Sequence, residues 1–125
     1  MTTQEIAEAL VQYNRDLQFI EAYDTLFHPD ATSDEMPDVP GGMVHLEGIE
    51  DIKKKGAAWE KDEEIHSVDG EILVAEDWFA VKWAMDTTFR ATGERRTLEE
   101  LSMYEVRDGK IVAERFFYHI PDTDA

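Results

Sequence analysis

The sequence predicts an α+β fold, with N-terminal helices wrapped by a strongly curved, cone-shaped antiparallel sheet. Three observations carry this reading. Apolar residues recur at helical spacing over the first 27 positions. From Ile65 onward the period changes from helix to strand. Four strand-like segments then follow with only short turn sequences between them, as antiparallel hairpins require. A chain of 125 residues, 42% hydrophobic, suits a single domain over 1–125 with one core. No linker, repeat or low-complexity tract divides it.

Thr2-Thr3-Gln4-Glu5 reads as a capping box, with Thr2 as N-cap and Glu5 reaching back. Ile6, Ala9, Leu10, Tyr13, Leu17 and Ile20 form one apolar stripe, with a break expected over 14–18. Phe19, Tyr23, Leu26 and Phe27 continue as a shorter helix. His28-Pro29-Asp30 ends it, because the residue before proline avoids the helical region. A short strand over 31–36, a Pro/Gly-rich turn over 37–42 and a second short strand over 43–47 come next. Gly48 opens a third helix, with Glu50 and Asp51 near its positive end. Ile49, Ile52 and Trp59 face inward, and the charged stretch 53–64 is expected to lie in solvent. The strands are placed at 65–75, 78–90, 95–107 and 110–120.

Reading Arg107-Asp108-Gly109 as a three-residue loop sets Ser102 against Glu114 and Tyr104 against Val112. The same reading of Ala91-Thr92-Gly93 sets Ala84 against Glu100 and Lys82 against Ser102. Alternation then puts Phe79, Val81, Trp83, Met85, Met103 and Phe117 on one face. The other face gathers Lys82, Asp86, Glu100, Ser102, Tyr104, Glu114, Phe116 and Tyr118. Aromatic walls with a few convergent polar groups describe a small-molecule pocket. Glu100 and Glu114 become diagonal neighbours whose repulsion raises the apparent pKa of the pair, with Lys82 opposing that shift. Such a cluster is suited to acid–base work on a bound carbonyl compound. It is equally suited to a structural network in which Lys82 pairs with a carboxylate while Ser102 and Tyr104 complete the hydrogen bonds. Asp86, toward the hairpin end, fits a positioning role or a hydrogen bond to Arg96. The Val81, Trp83, Met103 and Phe117 face is expected to meet a second copy of the chain, giving a homodimer.

The formal net charge of −17, from 29 acidic against 12 basic residues, repels phosphate backbones and anionic membranes, so neither is an expected partner. A salty environment and simple solubility account for that charge equally well. No apolar run approaches the ~20 residues of a membrane span. The first residues lack the basic and apolar regions of a secretory signal, which fits a cytoplasmic location. Without cysteine there is no disulfide, thiolate nucleophile or Cys–zinc site. The four histidines form no His-x-His or His-x-x-x-His pair, and Gly41-Gly42 lacks the context of a phosphate loop. No metal or cofactor is therefore expected.

Three segments, Leu26-Phe27-His28-Pro29-Asp30-Ala31, Leu46-Glu47-Gly48-Ile49-Glu50-Asp51-Ile52 and Tyr104-Glu105-Val106-Arg107-Asp108-Gly109-Lys110-Ile111-Val112, resemble a known family. Together with the element order, they look like the cone-shaped fold of nuclear transport factor 2. Within it, the chain is most similar to the SnoaL-like group, which includes small polyketide cyclases, and more distantly to the ketosteroid isomerases. The resemblance places Glu35 at the isomerase general-base position and Tyr13 near the isomerase tyrosine. It puts Ser102 where the isomerases carry an oxyanion-hole acid, and Phe116 where the cyclases carry a catalytic aspartate. It implies cofactor-independent isomerase or cyclase chemistry on a small apolar, oxygenated compound, with Glu35 as base, Glu100 and Glu114 as acid or orienting groups and Tyr104 as a donor. The alternative is a non-catalytic ligand-binding or dimeric interaction module.

Overall fold

The computed structural model describes residues 1–36 and 45–118. Helix α1 spans Thr3–Arg15 and begins with the expected capping box. Thr2 Oγ1 accepts from the Glu5 amide at 3.1 Å, and Glu5 Oε1 accepts from the Thr2 amide at 2.9 Å. Its apolar stripe buries Ile6, Ala7, Leu10 and Val11. The break falls where expected: α1 caps at Asp16, Leu17 turns left-handed (φ 57°), and α2 runs Phe19–Leu26. Strand β1 (Phe27–Asp34) starts directly after α2, earlier than the sequence suggests. Phe27 is already extended (φ −97°, ψ 144°), so it closes the helix rather than continuing it. Strand β2 is His45–Glu47 and α3 is Ile49–Asp62. The expected turn over 37–42 and the start of the following strand lie outside the described residues, as does the end of the last strand.

The meander comprises β3 (Glu63–Ala75), β4 (Trp78–Phe89), β5 (Glu94–Arg107) and β6 (Lys110–Phe117). All six strands form one sheet in the order β2-β1-β6-β5-β4-β3. The pairing is antiparallel except between β1 and β6, which run parallel and place Ser33 beside Glu114. The helices lie on the concave face, with α1 against β3 and β4 and α3 against β1 and β3. No described helix is long and apolar enough to cross a membrane.

Both hairpin registers differ from those read off the sequence. Asp108 and Gly109 form a two-residue turn with both φ positive (50° and 75°), so Arg107 opposes Lys110. A bulge between Glu105 and Val106 then shifts the pairing again, setting Tyr104 against Glu114 and Ser102 against Phe116. The two shifts sum to an even slip, so Glu114 keeps its expected face but sits two positions further along β5, opposite Tyr104, and is not the diagonal neighbour of Glu100. The β4–β5 connection has four residues, and Phe89 opposes Glu94. That is an odd slip, which turns β4 over relative to β5. Phe79, Val81, Trp83 and Met85 thus point inward with Glu100, Ser102 and Tyr104, and Phe79 stacks on Tyr104 with ring centroids 4.7 Å apart. Val81 and Trp83 are core residues and not part of an outer face. The outer face instead exposes Leu73, Trp78, Leu101, Met103 and Phe117.

Candidate functional site

A cavity of about 620 Å³ lies between the helices and the concave sheet. Its apolar walls include Phe19, Tyr23, Trp59, Trp83 and Leu98. Polar and aromatic side chains from several elements meet at one end. Lys55 comes from α3, Glu100 and Tyr104 from β5, and Glu114 and Phe116 from β6, while Glu35 follows the end of β1 and Tyr118 the end of β6.

Lys55 organises one end. Its Nζ donates to Ser33 Oγ at 2.6 Å and to Glu35 Oε1 at 2.9 Å. It lies 3.9 Å from Glu114 Oε1 and 4.7 Å from the centroid of the Phe116 ring. Ser33 and Glu114 are each 1% exposed. Among the described residues, Glu35 Oε2 and Glu114 Oε1 are buried without a hydrogen-bond partner. Three carboxylates therefore share one ammonium in a largely dry space. Burial, reinforced by the Glu35 charge, raises the Glu100 carboxyl to about 7 despite the opposing effect of Lys55. Burial raises Glu114 to about 7 as well, against the pull of Lys55 and the Ser33 hydrogen bond. Burial and then the Glu114 charge push the Tyr104 and Tyr23 phenols upward. Burial and then Glu35 do the same to Tyr118. The tyrosines are thus neutral donors across the physiological range, beside acids that exchange protons near neutrality.

At the other end, Glu63 (4% exposed) forms an ion pair with Arg96, whose guanidinium lies over the Phe89 ring at 5.2 Å. Among the described residues, Glu63 Oε2 and Arg96 Nε have no hydrogen-bond partner. No group of three or more metal-ligating side chains is found among the described residues.

Of the residues named from sequence, Glu35, Glu100, Glu114, Tyr104, Phe116 and Tyr118 line this cavity. Ser102 shares their face but is fully buried, its Oγ accepting from Trp83 Nε1 at 3.0 Å, so it supports the wall instead of touching the space. Lys82 and Asp86 lie on the outer face, a direct result of the one-residue slip in β4. Asp86 accepts from Arg95, at 3.0 Å from Nε and 2.7 Å from Nη2, and not from Arg96. Tyr13 turns away, its hydroxyl 3.4 Å from Thr25 Oγ1. Leu10 and Asn14, one turn apart, face the cavity from α1, and the tyrosine that reaches it from the helices is Tyr23 on α2. The charged run around Lys55 suggests a solvent-facing residue, although Ile52, Lys55 and Trp59 fall at helical spacing on one face. That spacing was the available signal for it.

No curated protein matches this chain. The crystal structure of a Mesorhizobium loti protein, titled as a SnoaL-like polyketide cyclase [carbohydrate phosphatase], is 34% identical. That match covers 94% of this chain and 100% of the other, at a TM-score of 0.84. A Jannaschia sp. CCS1 protein, also titled as a SnoaL-like polyketide cyclase, is 18% identical over 93% of this chain and 85% of its own (TM-score 0.75). A Xanthomonas campestris protein described as having a cystatin-like fold is 17% identical over 96% and 92% (TM-score 0.77). These last two show the fold alone. The family model described as SnoaL-like domain matches residues 1–118, and with the M. loti relative it shows that the chain belongs to the SnoaL-like family.

Proposed function

We propose that the cavity binds a small, largely apolar carbonyl compound and moves protons within it without a cofactor. The observation that carries this is the meeting of Glu35, Lys55, Glu100 and Glu114 at one end of an aromatic cavity. Glu35, tied to Lys55, acts as the base that removes a proton beside the carbonyl. Glu100 or Glu114, still protonated near neutrality, donates to the carbonyl oxygen as negative charge develops there. Tyr104 adds a neutral donor on the same wall. The name of the M. loti relative, a SnoaL-like polyketide cyclase [carbohydrate phosphatase], supports this class of chemistry in its first part.

The test is exchange of α-protons of cyclic and bicyclic ketones into deuterated water, followed by NMR, on compounds first found to raise the melting temperature. Glu35→Gln is expected to slow enzyme-dependent exchange about 100-fold or more. Glu100→Gln, which cannot give up a proton to the substrate, is expected to slow it as well. Unchanged rates in both variants would remove the catalytic assignment and leave a binding cavity.

A second reading concerns the outer face, where Leu73, Trp78, Leu101, Met103 and Phe117 are exposed together on neighbouring strands. Such a patch favours a homodimer joined sheet to sheet. Light scattering after size exclusion is expected to give twice the chain mass at micromolar concentration, and Leu101→Lys to shift it to one chain. A wild-type monomer rejects the dimer.

A further inference from the structure

The proposed chemistry occupies one end of the cavity, yet the other end is also equipped with polar groups. Arg96 and Glu100 both project inward from β5, four residues apart, which places their backbones about 13 Å apart along the strand. Leu98, between them on the same face, and Met85, its partner on β4, line the stretch that separates them. The far end holds an ion pair between buried Glu63 and half-exposed Arg96, and among the described residues the inward atoms Glu63 Oε2 and Arg96 Nε have no hydrogen-bond partner. Burying two such groups without partners is costly, and the cost is relieved by any group that both donates and accepts.

Resting on the ketone-binding reading above, we infer that Glu63 and Arg96 form a second recognition site for a hydroxyl or carboxamide at the opposite end of the substrate. A hydroxyl can give its proton to Glu63 Oε2 while its lone pair accepts from Arg96 Nε. A carboxylate is disfavoured because it brings no proton to Glu63, and the walls already carry Glu35, Glu60, Glu99, Glu100 and Glu114. The substrate class is thus an elongated apolar ketone with a neutral hydroxyl or amide at its far end. The pair discriminates by leaving its own polar atoms unsatisfied when that group is missing.

Two probes decide this. One is a cyclohexanone carrying a para-hydroxyphenyl group on the ring carbon opposite the carbonyl, and the other is the same molecule with plain phenyl. Calorimetric titration of the wild-type protein is expected to show the hydroxylated probe binding about tenfold or more tightly. Replacing the pair together, Glu63→Leu with Arg96→Met, keeps the volume apolar and avoids a lone buried charge. That variant is expected to bind both probes equally, with the plain probe held at least as tightly as by the wild type. Arg96→Lys, which keeps the charge but lacks Nε, is expected to lose most of the preference and serves if the double variant fails to fold. Equal affinity of the two probes for the wild-type protein overturns this inference and leaves the acid end untouched. Binding of neither probe removes the ketone reading and this inference with it.

Discussion

Replacing Glu114 with glutamine is expected to raise the melting temperature at pH 8 and to leave it nearly unchanged at pH 5. Glu114 is 1% exposed, and burial lifts its carboxyl from 4.5 to about 7. Between those values the folded chain holds a proton that the unfolded chain has released. Stability therefore falls as pH rises through this window, and the loss is complete above it. Glutamine has the shape of the protonated acid and never ionises, so it escapes the loss. The gain at pH 8 has an upper bound of about 3 kcal/mol, which corresponds to a shift of several degrees. Melting curves at the two pH values check this. A lower melting temperature at pH 8 would mean that Glu114 works chiefly as an ionised partner of Lys55.

Lys55→Met is expected to do the reverse. Removing the ammonium leaves Glu35, Glu100 and Glu114 without the positive charge they share, while the methionine still fills the space over Phe116. Breaking a buried pair from one side typically costs about 3–5 kcal/mol. That loss is expected at pH 8 in urea unfolding. At pH 5 it should shrink, because Glu100 and Glu114 take up protons and the repulsion disappears. An equal loss at both pH values would assign the stabilisation to packing of the lysine stem instead of its charge.

Local signals in this sequence were legible wherever one short stretch held all the information. The capping box at Thr2, the break after Asn14 and the position, though not the length, of the turn at Asp108-Gly109 each depend on a few adjacent residues. Register was harder, because it depends on turn length and on a bulge that leaves no mark in composition. The β6 bulge compensates the turn length, so Glu114 keeps the face of Glu100, but it opposes Tyr104 and is not the diagonal neighbour that the sequence suggests. Nothing compensates the four-residue loop before Glu94, so the turn read from sequence puts Lys82 and Asp86 on the wrong side. The strongest apolar alternation on β4, Phe79, Val81, Trp83 and Met85, was the better guide to the inner face. The parallel contact of β1 with β6 joins segments far apart in sequence, and periodicity carries no trace of it. Family resemblance points to Tyr13, whereas the angle around α1 turns Leu10 and Asn14 toward the cavity.

The β1–β6 contact also governs when the site can come into being. Ser33 and Glu35 belong to the first third of the chain, and Glu114 to its last tenth. Closing so long a loop delays such contacts on the folding route. During synthesis the meander can pair strand by strand while the acidic groups stay hydrated. The expensive step, drying out three carboxylates around one lysine, is postponed until the final strand docks and the rest of the scaffold is already in place.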